Sequence, residues 1–416
     1  MLLQFKCKNH RSIKDEITFS MRASADTTHS PSLISFNENK YLRCAEIYGA
    51  NGSGKTSVLD ALAKMSLIIL NSNNHQPGDY IIRAPHKLSE KSEPTEFSII
   101  FEKNNRKYSY AFSYNEQGIL DEYLYYWPSQ KKAKIFSRSY DKFDFTDSFS
   151  KQGENCNGRL KTNQLLLSLA AKETNIKEIA EAFLFFRNDL IVYPGEPNNW
   201  FEYSVEKLQN DETVKQSFLN FMKKIGSDIV DVKAKIEKRQ LTEKEIPPVL
   251  PQFVRSQILM QPANFIDLKL IYEKFSLDIN EESEGIQKLF RFLCPLIDIL
   301  YSGKIFICDE IETHLHPTIV YEIINTFIQN RETNGQIIFT THDTDLLDLD
   351  FIRRDQIWFT ELKPENRSTD LYSLAELKNV RKDENIKKGY ISGKYGAIPI
   401  LNNKLKIFLK ELESNG

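Results

Sequence analysis

Residues Gly49 to Thr56 read Gly-Ala-Asn-Gly-Ser-Gly-Lys-Thr. These types at this spacing make a loop suited to holding phosphate. Glycine lets main-chain N–H groups crowd around phosphate oxygens with no Cβ in the way. The main chain of Gly49, Asn51, Gly52, Ser53 and Gly54 is the expected cradle. Lys55 reaches toward the β- and γ-phosphates, the Thr56 hydroxyl can ligate Mg²⁺, and Ser57 completes the nucleotide-binding set. The flanks agree. Ala45, Ile47 and Tyr48 read as a strand before the loop, and Val58, Leu59, Ala61 and Leu62 repeat with helical period after it, so the helix N-terminus adds positive potential at the loop. The expected ligands are ATP and Mg²⁺.

Three further stretches carry matching chemistry. Lys304 to Glu310, Lys-Ile-Phe-Ile-Cys-Asp-Glu, is an apolar strand ending in two acids, the form of a Walker B element. Asp309 at its tip can hold Mg²⁺ through water, and Glu310 can polarise an attacking water as general base. Gln336 to Thr341 is a second apolar strand, and His342 follows it where a switch histidine would meet a γ-phosphate. Ser283-Glu284-Gly285 opens a helical pattern (Leu289, Phe290, Leu293, Leu296, Ile297). Such a turn is a second anion cradle or, read alone, a helix cap.

The elements that must position these groups can be traced along 416 residues, enough for two or three domains. Residues 1 to about 70 carry strands and the phosphate loop. From about 80 to 140 the apolar positions alternate (Phe97, Ile99, Phe101; Tyr108, Tyr110, Phe112, Tyr114; Tyr123, Tyr125, Trp127), with Asn-Asn and Asn-Glu-Gln-Gly turns between, which predicts an antiparallel meander. From about 160 to 240 the pattern is mainly helical, as in Ile176, Ile179, Ala180 and Phe183. From about 265 strands and helices alternate again, as a parallel sheet with crossovers requires. The expected division is 1–150 for a first ATPase lobe, 151–264 for a mainly helical insertion and 265–416 for a second lobe. No sustained heptads accompany it.

Bulk properties narrow the class. Hydrophobic content is 41%, charged content 27% and net charge -2, so no global basic field announces a nucleic-acid partner. Five scattered cysteines without a Cys-x-x-Cys pair argue for a reducing compartment. The N-terminus lacks a signal-peptide core, and Arg291 and Asp298 interrupt the longest apolar run. The expectation is a cytoplasmic protein with no membrane contact.

Phosphate loop, Ser-x-Gly turn, Asp-Glu strand and histidine, in that order, resemble the ABC-type ATPase heads of the SMC, RecF and OLD families. Asn9-His10-Arg11-Ser12 resembles the Asn-Phe-Arg-Ser segment of those heads, with His10 in place of the aromatic residue. The resemblance implies that Arg11 contacts nucleotide phosphate. Glu312-Thr313-His314-Leu315-His316-Pro317 resembles the D-loop of the RecF and OLD branch. The short Ser-x-Gly form sets the chain apart from transporters. The fold class implied is α/β, a P-loop NTPase of ABC-type head architecture with an antiparallel β-subdomain and a helical insertion. The C-terminal segments Arg353 to Phe359, Asp370 to Leu374 and Lys388 to Pro399 resemble the "AAA family" ATPase subunits of bacterial abortive-infection systems of the AbiL type, with the PARIS ATPase subunit as a relative.

That resemblance implies a homodimer or higher homo-oligomer with composite sites, in which Ser283 and Gly285 cap the γ-phosphate held by the other chain. It also implies a separate effector, a toxin or nuclease encoded nearby, and a phage-derived trigger. The alternative is a DNA-maintenance ATPase of the RecF branch. Some features stay open. Gln164 is a candidate for the glutamine loop, against a plain helical glutamine. The aromatic meander with Lys131-Lys132-Ala133-Lys134 fits nucleic-acid stacking or a solvated basic sheet edge. Residues 388–399 fit a docking segment or an ordinary ordered loop.

Overall fold

The computed structural model describes residues 1–76, 78–193, 199–247, 250–260, 262–313, 315–378, 380–381 and 384–399. His314 lies outside them. The chain divides into two compact units, one of residues 1–192, 303–312 and 321–416 and one of residues 193–302 and 313–320.

The first unit holds two sheets. Four parallel strands run Ile305–Cys308, Gln336–Thr340, Cys44–Gly49 and Ile357–Leu362 in spatial order, with Leu190–Tyr193 on one edge and the antiparallel Thr369–Ser373 on the other. Their central members are buried at every position, as a sheet covered on both faces requires. The second sheet is antiparallel and seven-stranded: Lys142–Phe145, Ala133–Ser139, Ile119–Tyr126, Arg106–Tyr114, Thr95–Lys103, Leu2–Lys8, Ile17–Ser20. The alternation predicted it. Phe97, Ile99, Phe101, Tyr108 and Tyr110 all turn inward and are buried. Asn104 and Asn105, with φ of 53° and 60°, form the tight turn between strands Thr95–Lys103 and Arg106–Tyr114.

Helix Lys55–Asn71 runs from the phosphate loop and buries Val58, Leu59, Ala61, Leu62 and Met65 in the core shared with the antiparallel sheet. Gln336 joins the sheets. Its side chain accepts from the Leu2 amide at 2.6 Å and donates to the carbonyls of Leu2 (3.1 Å) and Leu42 (2.9 Å). The helices Leu166–Glu173 and Lys177–Leu184 belong to this core as well, and the Phe185 ring stacks on Phe101 at 4.0 Å. The first unit therefore extends well past residue 150, because these helices bury their apolar faces on the sheet that precedes them.

The second unit combines the helices Asn199–Asn210, Glu212–Lys224, Gln252–Met260 and Glu284–Ser302 with an antiparallel sheet of Asp231–Gln240, Pro262–Ile271 and Ser276–Asp278. The expected run of helix from about 160 to 240 thus ends in a strand. Val232, Ala234 and Ile236 alternate with charged residues there, a period-two signal that the helical reading passed over. The Ser283 turn belongs to this unit rather than to a continuous second lobe. No described helix is long and apolar enough to cross a membrane, and the five cysteines are buried and unbridged.

One buried ion pair pins the antiparallel sheet to the helix after it. Glu122 and Arg138 are fully buried 3.6 Å apart. The Glu122 carboxylate accepts from the first amides of helix Leu166–Glu173 (Leu166 at 2.7 Å, Leu167 at 2.8 Å) and from the Tyr110 hydroxyl at 2.9 Å. Removing one member leaves a buried charge without its counter-charge. Arg138→Met is expected to cost ~3–5 kcal/mol of stability in urea unfolding. Lys134→Met, which breaks the exposed pair with Asp144, should cost under ~1 kcal/mol.

Candidate functional site

The phosphate loop turns between its strand and its helix as the glycines predict. Gly52 and Gly54 have φ of 77° and 108°. A Cβ on Gly54 would stand 2.0 Å from the Thr369 hydroxyl and 2.9 Å from that of Ser12, so no other residue fits there. No side chain caps the helix that Gly54 opens, and its first turn holds no acid. In contrast, Asp211 caps helix Glu212–Lys224 through two main-chain amides. The uncapped amides beside an open glycine turn fit an anionic ligand. Asn51, Gly52 and Thr56 are exposed, so the cradle is reachable from solvent.

Lys55 is buried, and its ammonium donates to the carbonyls of Gly49 (2.8 Å) and Ala50 (3.4 Å). Burial pushes it below the ordinary lysine range, while the nearby carboxylates of Glu310, Asp309 and Glu312 pull it back up. The lysine and the Walker B acids, more than 250 positions apart in sequence, thus share one electrostatic field.

The strand order explains this convergence. Strand Gln336–Thr340 lies between the acidic strand and the loop strand, and Thr340 organises the acids. Its hydroxyl donates to the Asp309 carboxylate at 2.5 Å and accepts from the Glu310 amide at 2.8 Å. Glu310 adopts φ 47°, a left-handed conformation that costs a non-glycine residue about 1 kcal/mol. Glu312 accepts from the His342 amide at 2.7 Å, tying the histidine turn to the acidic loop. The His342 side chain is exposed. The Tyr48 hydroxyl donates to the Asp343 carbonyl at 3.0 Å, so the loop strand holds that turn from its other side. The hard oxygen donors of Thr56 and Asp309 fit Mg²⁺.

Residues from the first and last parts of the chain hold the loop. The Ser53 hydroxyl meets Thr360 at 2.6 Å, and Thr360 meets the Tyr48 carbonyl at 3.2 Å. The Thr369 hydroxyl contacts the Ser53 carbonyl (3.0 Å) and the Ser12 hydroxyl (2.7 Å), and Ser12 bonds Ser57 at 2.8 Å. Thr360, Thr369 and Thr340 had no motif to announce them. Arg11 is half-exposed, and its guanidinium sits 2.7 Å from Asp60 on the loop's own helix, where His10 also bonds at 2.6 Å. His10 packs edge-on against Phe97 at 5.7 Å.

Ser283 and Gly285 lie in the second unit. Ser283 opens helix Glu284–Ser302, its hydroxyl 3.4 Å from the Ile286 amide and its carbonyl accepting from Gln287 at 3.0 Å. Beside this turn lies a cavity lined by Asp228, Tyr272, Glu282, Leu289 and His316. His316 precedes helix Pro317–Gln329, with its ring nitrogen accepting from the Thr318 amide at 3.3 Å.

Gln164 is neither helical nor near the loop. It is buried in the turn before Leu166, bonded to Asn73 at 2.7 Å. Asn73 follows the far end of the 17-residue loop helix, about 25 Å from the phosphate cradle. Residues 388–399 are ordered on the first unit. Tyr390 stacks on Phe359 at 5.5 Å and meets Tyr48 edge-on at 5.6 Å.

A protein-family model described as "AAA domain, putative AbiEii toxin, Type IV TA system" matches residues 45–349. No curated protein matches the chain. Among solved structures, the SMC head domain from Thermotoga maritima is similar at 11% identity and a TM-score of 0.41, over 89% of this chain and 98% of that one. An SMC head bound to the C-winged helix domain of ScpA is similar at 13% identity and 0.44, over 89% and 97%. An Smc head with an extended coiled coil, bound to the C-terminal domain of ScpA derived from Pyrococcus furiosus, is similar at 12% identity and 0.40, over 90% and 97%.

The hydroxyl clamp makes a direct prediction. Thr369→Val keeps side-chain shape and removes the contacts to Ser12 and Ser53, each worth about 1 kcal/mol. Titration with a fluorescent ATP analogue should show about tenfold weaker binding, and urea unfolding a loss of about 2 kcal/mol. Unchanged affinity would mean that the loop holds its shape through its own main chain.

Proposed function

We propose, for a chain that belongs to the AAA-domain family of putative AbiEii toxins of type IV toxin–antitoxin systems, that it binds and hydrolyses ATP and uses that cycle to control a separate effector in anti-phage defence. The observation that carries the ATPase reading is the Thr340 hydroxyl that holds both Asp309 and Glu310 on the strand next to the phosphate-loop strand, with an uncapped helix N-terminus after that loop. In this reading the main chain from Gly49 to Gly54 and the hydroxyl of Ser57 line the phosphates. Lys55 leaves the carbonyls of Gly49 and Ala50 to meet them. Thr56 and Asp309 hold Mg²⁺, which would supply neutralisation of phosphate charge. Glu310 takes a proton from water, and its main-chain position is fixed by Thr340. His342 senses the γ-phosphate, its turn held by Glu312 and Tyr48. Arg11 exchanges Asp60 for phosphate.

The finer reading is a regulatory subunit of the AbiL type, related to the PARIS ATPase. The family description supports a toxin–antitoxin setting, and the C-terminal segments support the AbiL resemblance. Two chains meet head to head, and Ser283 and Gly285 of one cap the nucleotide of the other. ATP then favours the dimer by binding it more tightly than the monomer, and turnover releases it.

Two measurements test this reading. Ser283→Arg should keep ATP binding but lose the ATP-dependent rise in mass by light scattering. Assembly equal to wild type would sink the two-chain site. Cells carrying the gene with its native neighbours should plate phage poorly, and Lys55→Ala should restore plating. A protective Lys55→Ala would remove ATP from the defence role.

A further inference from the structure

The outer face of the antiparallel sheet carries a group that the ATP site does not use. Leu124 points into the core, so its neighbours Tyr123 and Tyr125 face out. They line two adjoining grooves that share Tyr123 and Asp121. Tyr123 and Tyr125 meet edge to face at 5.4 Å. Beyond them stands Trp127, whose amide bonds the Lys107 carbonyl at 2.9 Å. The Lys107 ammonium lies 4.5 Å from the Trp127 ring centre, and that of Lys132 lies 4.0 Å from Tyr125 and 5.7 Å from Trp127.

The charges here differ from those on the rest of the face. Lys6 pairs with Glu16 at 2.6 Å, Lys8 with Glu96 at 3.4 Å and Lys134 with Asp144 at 2.8 Å. Lys107 and Lys132, which stand over the rings, have no carboxylate within 4.0 Å among the described residues. Glu102, opposite Lys107 in register, is taken by the Met1 ammonium at 3.7 Å and the Asn105 amide at 2.7 Å. Burial, then Arg22 and Lys132, push the Lys107 ammonium below its ordinary value. Two lysines without an acid crowd two partly open aromatic rings, Tyr125 and Trp127. A ligand relieving both conditions offers an anion and a flat π-face at short repeat. Acids line both grooves, Glu16, Glu96 and Asp121 in one and Asp121 and Asp144 in the other, and limit the footprint to the basic corner.

We infer that this corner binds single-stranded nucleic acid, with bases stacked on Tyr125 and Trp127 and phosphates met by Lys107 and Lys132. Rings accept any base by stacking, and the lysines follow the backbone charge. The site lies outside the ATP machinery, so the two readings fail separately.

Fluorescence anisotropy of the full chain with labelled oligo(dT), oligo(U) and a duplex of equal length tests it. Single strands of either sugar should bind at low salt and the duplex more weakly. Trp127→Ala should weaken binding about tenfold, while Trp127→Phe retains most of it. Lys107→Gln with Lys132→Gln should weaken binding and reduce the slope of log affinity against log salt by about 1.4. Lys55→Ala should bind the strand as wild type does. No binding at low salt, wild-type affinity in the Trp127→Ala or double-lysine variant, or tighter duplex binding would overturn the inference. Displacement by polyglutamate as readily as by unlabelled strand would also overturn it, since a polyanion without bases would then suffice.

Discussion

The site depends on holding a glycine-rich loop open. A loop free of side chains has little of its own to fix its shape, and glycine pays the largest entropic cost for being fixed. Here a chain of hydroxyls supplies the constraint. Ser53, Thr360, Thr369, Ser12 and Ser57 link the loop to strands Ile357–Leu362 and Thr369–Ser373 and to the connection between strands Leu2–Lys8 and Ile17–Ser20. Each contact is modest alone. Together they place the main-chain amides before any ligand arrives, and preorganisation of this kind lowers the cost of binding.

The same economy governs the acids. Thr340 serves Asp309 with its proton and Glu310 with its lone pair, so one hydroxyl orients both. On the neighbouring strand Glu46 is fully buried, and burial, reinforced by Asp343, drives its carboxyl well above the usual range. Tyr48 stands between that group and the carbonyl after His342. The histidine turn is thus joined to the loop strand by main-chain and side-chain contacts at once.

Much of this was legible in the sequence. Gly49 to Thr56 declared the loop, Asp309 and Glu310 ended their strand, and Asn104-Asn105 marked the turn between Thr95–Lys103 and Arg106–Tyr114. Local chemistry fixes each of these features, so a short window of residues suffices to find them. Thr360 and Thr369 were not legible, because a threonine near a strand end carries no signal until the strand order brings it to the loop. Gln164, weighed as a glutamine loop against a plain helical glutamine, is neither: it sits in a turn beyond the far end of the 17-residue loop helix, a place that only the fold reveals. The strand Asp231–Gln240 was readable, since Val232, Ala234 and Ile236 alternate, but its many charges resembled a solvated helix.

The central claim is that the loop and the Asp-Glu strand form one hydrolytic site in which Glu310 is the base. The most direct measurement is phosphate release from ATP and Mg²⁺ by wild type and Glu310→Gln, alongside nucleotide affinity for both. Retained affinity with turnover reduced by about a hundredfold or more is the predicted result, the scale expected of a positioned general base. Turnover equal to wild type at equal affinity would contradict the assignment.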